Sequence, residues 1–261
     1  MIRAYWFNLN RNFGDQLTPR LTEALSGRRV GYCDDFARCQ LVAVGSILHL
    51  VPSETFRGRI WGAGFIQRPD KPRVFPHARI CALRGELTRE LLGAGPDVAL
   101  GDPGLLADRF AKPTAKRYPL GIVPHFVDVE NDRVQAIVSK PGVHRIDVFN
   151  DVERVVHEIA QCEAIISSSL HGLIVADALG VANRWVRLSD GVIGGDFKFR
   201  DYYSIYGIED PSPMELTPED TAETIRAKIG PCERRGIEQI KRRLLESFPF
   251  PRRRWFGRRR K

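Results

Sequence analysis

Three serines and a histidine stand between two apolar runs in residues 165–174, which read IISSSLHGLI. The apolar residues before the serines predict a buried strand, and those after the histidine predict a helix. Free backbone N–H groups and the helix dipole favour an anion at such a helix start. We therefore expect Ser168, Ser169, His171 and Gly172 to bind a phosphate or a carboxylate. The alternative is that Ser169 only caps the helix and that His171 faces solvent.

Cations that could hold the same anion occur in two other segments. Arg84 follows the predicted strand 79–83, and its guanidinium could bind a carboxylate or a phosphate through two parallel hydrogen bonds. Lys198 and Arg200 belong to residues 194–204, GGDFKFRDYYS, which we predict to be a mobile loop that closes over an anionic substrate. The alternatives are a surface arginine at a helix start and a solvated loop with aromatic packing.

A fourth segment, NFGD at residues 12–15, follows the first predicted strand. Asp15 is either an ordinary helix cap or a group that reaches a substrate from the first half of the chain. The sequence contains no G-x-G-x-x-G, Walker A, H-E-x-x-H or G-x-S-x-G pattern. Five cysteines without a C-x-x-C pair indicate neither a zinc site nor a disulfide framework. We expect no metal and no cofactor.

Short apolar runs alternate with amphipathic stretches along the chain, which predicts an α/β protein with parallel sheets. A Lys-, Pro- and Ala-rich segment, 111–119, is predicted to link two α/β halves. The predicted boundaries are an N-terminal α/β domain over 1–112, a C-terminal α/β domain over 113–232, and a C-terminal helix with a basic aromatic tail over 233–261. Two such halves would place a cleft between the carboxyl ends of their sheets.

Particular strands and helices are expected to position the candidate residues. The predicted strands are 2–7, 30–33, 41–44, 60–62, 79–83, 120–123, 145–148, 164–167 and 183–188. The predicted helices are 16–25, 85–92, 152–160 and one that runs from the histidine segment to Leu179, where Gly180 ends it.

The net charge of +8 is concentrated at one end of the chain. Residues 252–261, RRRWFGRRRK, hold seven basic side chains, which leaves 33 basic and 32 acidic residues in 1–251. Since the basic excess is confined to this end and not spread over a face, we expect no nucleic-acid partner. No apolar run reaches the roughly 18 residues of a membrane span, and the N-terminus lacks the apolar core of a secretory signal. We therefore predict a cytoplasmic protein.

Six motifs, taken in this order, resemble those of the polysaccharide pyruvyl transferase family. They are NFGD (12–15), WGAG (61–64), LRG (83–85), LGDPG (100–104), SSLHGLI (168–174) and FKFRDYY (197–203). The resemblance implies two Rossmann-like domains that face a cleft, similar to GT-B glycosyltransferases. It also implies transfer of pyruvate from phosphoenolpyruvate to a sugar of an exopolysaccharide or cell-surface glycan precursor, with formation of a pyruvate ketal and release of phosphate. The alternative function is that of a GT-B-type sugar-nucleotide glycosyltransferase.

The resemblance also implies roles for the donor-site residues. Arg84 matches the family arginine that binds the donor, and His171 matches the histidine of the L-H-G/A signature. Some members have an arginine where this chain has Ser169. We therefore expect Lys198 or Arg200 to supply the second cation.

The implied reaction needs one group that gives and takes protons and a base on the acceptor hydroxyl. We assign the first role to His171 and the second to Asp15. Asn12 and Asp15 are also expected to contact the acceptor.

Residues 248–261 combine the seven cations with four aromatic residues, Phe248, Phe250, Trp255 and Phe256. Such a mixture is typical of segments that bind an anionic membrane surface. We predict that this segment holds the enzyme peripherally at the inner face of the cell membrane, where it meets a lipid-linked oligosaccharide or polysaccharide acceptor. The alternatives are a disordered solubilising end and a nucleic-acid contact.

Overall fold

The structure is a computed structural model that describes residues 1–10, 12–231 and 234–251. Two sheets form its framework, and all the strand pairs within them are parallel. The first contains β1 (Ile2–Tyr5), β2 (Val30–Tyr32), β3 (Leu41–Val42), β4 (Arg59–Trp61), β5 (Arg79–Leu83) and β6 (Ala99–Leu100), in the spatial order β2-β1-β3-β4-β5-β6. The second contains β7 (Tyr118–Val123), β8 (Val143–Arg145), β9 (Cys162–Ser167) and β10 (Ala182–Trp185), in the order β10-β9-β7-β8. The predicted α/β class with two Rossmann-like halves is confirmed.

Helices connect and cover the strands. The α-helices are α1 (Phe13–Ser26), α2 (Glu86–Leu91), α3 (Asp132–Val138), α4 (Val152–Ala160), α5 (Leu170–Ala178), α6 (Phe197–Tyr203), α7 (Ala222–Ile229) and α8 (Ile237–Glu246). Short 3₁₀ helices lie at Leu48–Leu50, Pro103–Phe110 and Ser204–Tyr206.

The elements were predicted well where the hydrophobic periodicity is strong. They were predicted less well where apolar and polar residues follow no clear period. α4 has the predicted bounds because its valines and isoleucine at 152, 155, 156 and 159 form one buried face. The bounds predicted for the strand at 145–148 are wrong, because β8 runs from Val143 to Arg145. Ile146 and Val148 are buried in the segment that follows it. Their burial explains their apolar character, and the Ile146 N–H still donates to the Ile122 carbonyl of β7 at 3.0 Å.

The loop predicted over 194–204 is wrong for most of its length, because Phe197–Tyr203 forms α6. Phe199, Tyr202 and Tyr203 are buried, and the ring of Phe199 stacks on Trp185 at 4.2 Å between centroids. This aromatic packing fixes the segment as a helix. Within the predicted range, only residues 194–196 lie outside a helix.

The two halves share a hydrophobic core. One cluster of buried residues includes Leu17 and Leu105 from the first half and Ile165 and Leu173 from the second. α5 packs against the 3₁₀ helix Pro103–Phe110, and α1 packs against α4. The predicted boundary at 112/113 falls between that 3₁₀ helix and β7. The chain passes there from the first half to the second, while the hydrophobic core continues across both halves.

The C-terminal helix α8 returns to the first half of the chain. Trp61 Nε1 donates to the Leu244 carbonyl at 3.0 Å, and Phe248 packs edge-on against Trp61. Phe250 lies under the Arg59 guanidinium, 4.9 Å from it. The prediction that residues 248–261 act as one tail is therefore wrong at its start, because these two aromatic rings belong to the fold. Residues 252–261 lie outside the described residues.

Among the described residues, no helix is long and apolar enough to cross a membrane.

Candidate functional site

A cavity of about 230 Å³ opens between the two sheets. Its walls come from segments that follow the carboxyl ends of strands in both halves: Phe7 after β1, Ser46 after β3, His125 after β7, and Ser169 and His171 after β9. Parallel strands place their following loops at one edge of a sheet, and this edge is where open α/β sheets bind ligands. Most of the wall is apolar, and its polar side chains are those of Asp15, Lys198, three histidines, Asn12 and two serines.

Lys198 is the buried cation of this cavity. It is only 5% exposed, and no described residue forms an ion pair or a hydrogen bond with its Nζ. Burial and the charge of Arg84 lower the pKa of Lys198 to about 8, although Asp128 and Asp15 act in the opposite direction. A buried ammonium group without an anionic partner is costly. The cavity is therefore suited to an anionic ligand.

His171 lies at the second position of α5, beside α1. Burial first, and then the charges of Lys198 and Arg84, lower its pKa to about 3, so the imidazole is neutral at physiological pH. Its Nε2 is buried and has no hydrogen-bond partner within the described residues. Gly14 makes this position possible, because a Cβ there would lie 2.1 Å from His171 Nδ1.

Asp15 and Asn12 reach the cavity from the start of α1, as predicted from the NFGD motif. Asn12 caps the helix by accepting from the Asp15 backbone N–H, and its Nδ2 donates to Asp15 Oδ2 at 2.6 Å. The capping residue is thus Asn12, and Asp15 is left to face the cavity. Burial raises the pKa of Asp15 to about 7, in spite of the Asn12 hydrogen bond and the charge of Lys198.

The serines and the glycine of the SSSLHG segment have different surroundings. Ser169 lines the cavity, and its side chain does not cap α5, so the simple capping interpretation is wrong. Ser168 Oγ donates to Asp128 Oδ2 at 2.6 Å and accepts from the His125 backbone N–H at 2.9 Å. Gly172 faces away from the cavity, since a Cβ there would lie 2.4 Å from Ser167 Oγ.

Arg84 lies behind the cavity wall and is fully buried. Its Nε forms an ion pair with Asp201 Oδ2 at 2.9 Å, and its other nitrogens donate to Ser46 Oγ and the Phe65 carbonyl. Ser46 lines the cavity, so Arg84 is one side chain away from it. Arg84 therefore does not line the cavity, but its charge lowers the pKa of Lys198 and of His171.

The structure does not bring Arg200 to the cavity. Its side chain is about half exposed, and its nearest carboxylate is that of Asp210, at 4.0 Å. On α6 it stands two residues after Lys198 and therefore on a different face of the helix. The donor-binding role of Arg200 stays a prediction that this geometry does not favour, whereas Lys198 lines the cavity.

Sequence reasoning missed two further histidines. His125 and His49 also line the cavity, so three of the six histidines in the chain surround one space. Burial, together with the charges of Lys198 and His171, lowers the pKa of His125 to about 3. The available signal was its position two residues after a buried strand, at the same sheet edge as His171. No motif marked it.

A search of the described ranges finds no three His, Cys, Asp or Glu side chains placed to share a metal ion. The groups present can bind an anion through Lys198, exchange a proton through Asp15 with its raised pKa, and accept one through a neutral histidine. These are acid–base and anion-binding functions.

Comparison with known proteins agrees with the motifs. The sequence profile of the family described as polysaccharide pyruvyl transferase matches residues 12–190. The chain is 28% identical over 211 residues to the succinoglycan biosynthesis protein ExoV of Rhizobium meliloti (strain 1021), a match covering 78% of this chain and 64% of ExoV. It is 30% identical over 228 residues to the uncharacterized protein L143 of Acanthamoeba polyphaga mimivirus, covering 80% of this chain and 75% of L143. The match thus spans slightly less than two thirds of ExoV. No solved structure matches significantly.

Proposed function

Because the chain belongs to the polysaccharide pyruvyl transferase family, we propose that it transfers pyruvate from phosphoenolpyruvate to a sugar of an exopolysaccharide or cell-surface glycan precursor. The product is a pyruvate ketal, and phosphate is released. The observation that carries the proposal is the buried Lys198, which forms no ion pair with a described carboxylate and lines the same cavity as two neutral histidines. Phosphoenolpyruvate carries a carboxylate and a phosphate and would supply the missing negative charge.

The proton balance of ketal formation fits the two groups with shifted pKa values. In the first step, a sugar hydroxyl adds to C2 of phosphoenolpyruvate while C3 gains a proton and becomes a methyl group. Asp15, whose pKa is raised to about 7, can supply that proton, and neutral His171 can accept the hydroxyl proton. The result is a tetrahedral intermediate that still carries the phosphate.

The second step restores both groups. The C2–O bond to phosphate breaks, and the second sugar hydroxyl forms a bond to C2. The Asp15 carboxylate takes the proton of that hydroxyl, and protonated His171 gives its proton to the departing phosphate. Overall, one hydroxyl proton ends on the methyl group and the other on phosphate. Each residue thus gives and takes one proton, which extends the base role first predicted for Asp15.

Charge in the cavity would assist both steps. Lys198 can contact the donor, and Arg84 contributes its charge from behind Ser46. Negative charge on the bound donor would oppose the effect of these cations on His171 and raise its pKa toward the range where it can give a proton back. Asn12, which fixes the Asp15 carboxylate, would contact the acceptor from the same side.

The acceptor and the location of the enzyme are part of the proposal. We propose a lipid-linked oligosaccharide or polysaccharide as acceptor and a peripheral position at the inner face of the cell membrane. Two observations support this. Residues 252–261 are strongly basic, and the relative ExoV is named as a succinoglycan biosynthesis protein.

Calorimetry with the full-length protein tests the donor assignment. We expect phosphoenolpyruvate to bind and uridine diphosphate glucose not to bind, because the cavity offers cations and neutral histidines to a small trianion. His171→Gln should still bind phosphoenolpyruvate but should lower phosphate release in the presence of acceptor by about 10²–10⁴-fold. Binding of the sugar nucleotide alone would contradict the proposal and favour a glycosyltransferase.

A further inference from the structure

The turn after β7 holds His125 in one position. The His125 backbone N–H donates to Ser168 Oγ at 2.9 Å, and its carbonyl accepts from the Asp128 N–H at 2.8 Å. Ser168 in turn donates to Asp128 Oδ2, and Ser189 donates to Asp128 Oδ1. Asp128 is fully buried, so this network joins three segments beneath the cavity wall. Such an arrangement pre-organises a side chain for a ligand.

The imidazole of His125 has one nitrogen tied to the protein and one available to the cavity. Nδ1 accepts from the Val127 backbone N–H at 3.4 Å. In a neutral ring that accepts at Nδ1, the proton is on Nε2, which is then a hydrogen-bond donor. No described residue accepts from Nε2, and the ring lines the cavity. His125 therefore presents an N–H group to whatever the cavity holds.

His125 and His171 belong to the same edge of the second sheet. Val123 at the end of β7 is paired with Ser167 at the end of β9. His125 follows the first of these residues by two positions, and His171 follows the second by four. The two rings and Lys198 are close enough for their charges to influence one another. All three side chains line the same cavity, so a ligand bound there lies near each of them.

We propose that His125 is a further donor-binding residue, whose Nε2–H donates a hydrogen bond to an anionic oxygen of phosphoenolpyruvate. This inference rests on the proposed function, and it gives His125 a role distinct from that of His171. His171 exchanges protons, whereas His125 stays neutral and acts only as a donor. Burial opposes protonation of His125, and so do the positive charge of Lys198 and that of His171 whenever His171 is protonated.

Two substitutions at position 125 separate hydrogen bonding from shape. A glutamine amide can place an N–H group near the position of Nε2, whereas leucine cannot donate at all. We expect His125→Leu to raise the Kd of phosphoenolpyruvate by about 10–100-fold, the effect of losing a hydrogen bond to a charged group. His125→Gln should stay within about fivefold of the wild type. His77→Leu is the matched control, because His77 is exposed and does not line the cavity.

The tautomer is measured on the wild-type protein by long-range ¹H–¹⁵N correlation spectra of the histidine rings. We expect His125 to carry its proton on Nε2 from pH 8 down to pH 5, and we expect the Nε2 signal to move when phosphoenolpyruvate is added. This measurement decides the question even if the leucine variant fails to fold. A ring that titrates near pH 6.5, or carries its proton on Nδ1, would overturn the inference.

The outcomes distinguish this inference from the function on which it rests. If the wild type binds no phosphoenolpyruvate, both are wrong. If it binds phosphoenolpyruvate and His125→Leu binds it equally well, only the role of His125 is wrong. If leucine and glutamine weaken binding equally, the effect of residue 125 is one of shape, and the hydrogen-bond assignment is overturned.

Discussion

Lys198 and Arg200 carry the same charge two residues apart on α6, yet their surroundings differ completely. Lys198 is buried in the cavity, and Arg200 is about half exposed beside Asp210. We expect Lys198→Met to raise the Kd of phosphoenolpyruvate by about 10–100-fold, because a buried charge-assisted contact is lost. Arg200→Met should change it less than about twofold, because an exposed pair contributes little. Isothermal titration of both variants measures this.

The same measurement has a pH dependence. The pKa of Lys198 is lowered to about 8, so the amine is charged below that pH and loses its proton above it. The affinity of the wild type for phosphoenolpyruvate should therefore fall as pH rises through about 8, and the affinity of Lys198→Met should not. If Arg200→Met weakened the binding of phosphoenolpyruvate as much as Lys198→Met does, the cavity would not be the donor site.

Asp15 gives a second prediction at the scale of one residue. Its pKa is raised from 3.8 to about 7 in the fold, so the folded protein binds more protons there than the unfolded chain between these values. Stability from this group is therefore lost as pH rises from about 4 to about 7, by at most about 4 kcal/mol. Asp15→Asn removes this loss, so the variant should exceed the wild type in stability more at pH 8 than at pH 5.

Urea unfolding at the two pH values tests this prediction. The pKa of buried Asp102 is also raised, to about 6, but this group is present in both proteins and cancels in the comparison. The variant should also lose turnover, since an amide cannot give a proton. If the free energies of unfolding of the two proteins differed by the same amount at pH 5 and at pH 8, Asp15 would be ionised at both pH values.

A buried ion pair between Arg84 and Asp201 joins the two halves of the chain. Arg84 precedes α2, and Asp201 belongs to α6. The Asp201 carboxylate also accepts from the Thr88 N–H at 2.8 Å and from the Thr88 hydroxyl at 2.7 Å. Since Lys198 is on α6 as well, this pair sets the position of the cavity cation.

Breaking the pair from either side should be costly. We expect Arg84→Met and Asp201→Leu each to lower the free energy of unfolding by about 3–5 kcal/mol, because each leaves a charge buried without its partner. The double variant should be more stable than the sum of the two effects predicts. Denaturant unfolding of the four proteins gives this cycle.

The same variants address the donor role implied for Arg84 by the family resemblance. If Arg84 acts by placing α6, then Asp201→Leu should weaken phosphoenolpyruvate binding about as much as Arg84→Met does. If only Arg84→Met weakens binding while stability is kept, Arg84 contacts the donor itself. That result would require the Ser46 side of the cavity to open.

For the whole molecule, the basic end of the chain yields a prediction independent of the cavity. Deletion of 252–261 removes seven cations, each of which can contribute about 1 kcal/mol at an anionic bilayer. The shortened protein should lose salt-sensitive binding to anionic liposomes and keep its activity on a soluble sugar acceptor. Liposome co-sedimentation at two salt concentrations measures this.

The deletion must begin after residue 251 to be interpretable. Phe248 packs on Trp61, and Phe250 packs under Arg59 and Arg28, so a deletion from 248 should lower the melting temperature as well. Unchanged liposome binding after deletion of 252–261 would show that the membrane interpretation of this segment is wrong.

The amino-acid sequence was enough to predict the α/β class, most of the elements and the family. α4 and β5 (Arg79–Leu83) have their predicted bounds because local periodicity and chain breakers act within one segment, where the sequence contains all the information. The motifs at 12–15 and 168–174 also singled out Asp15 and His171, which line one cavity, and their catalytic roles stay predictions.

Which charged groups reach that cavity depends on contacts between distant segments and could not be predicted from local patterns. Lys198 and Arg200 are equivalent in sequence, and the packing of Phe199 on Trp185 determines that Lys198 points inward. Arg84 and Asp201 are 117 residues apart, and His125 and His171 line one cavity because β7 and β9 are neighbours in the sheet. Burial and pairing between distant segments set the charge and the pKa of each group, and no local pattern contains those contacts.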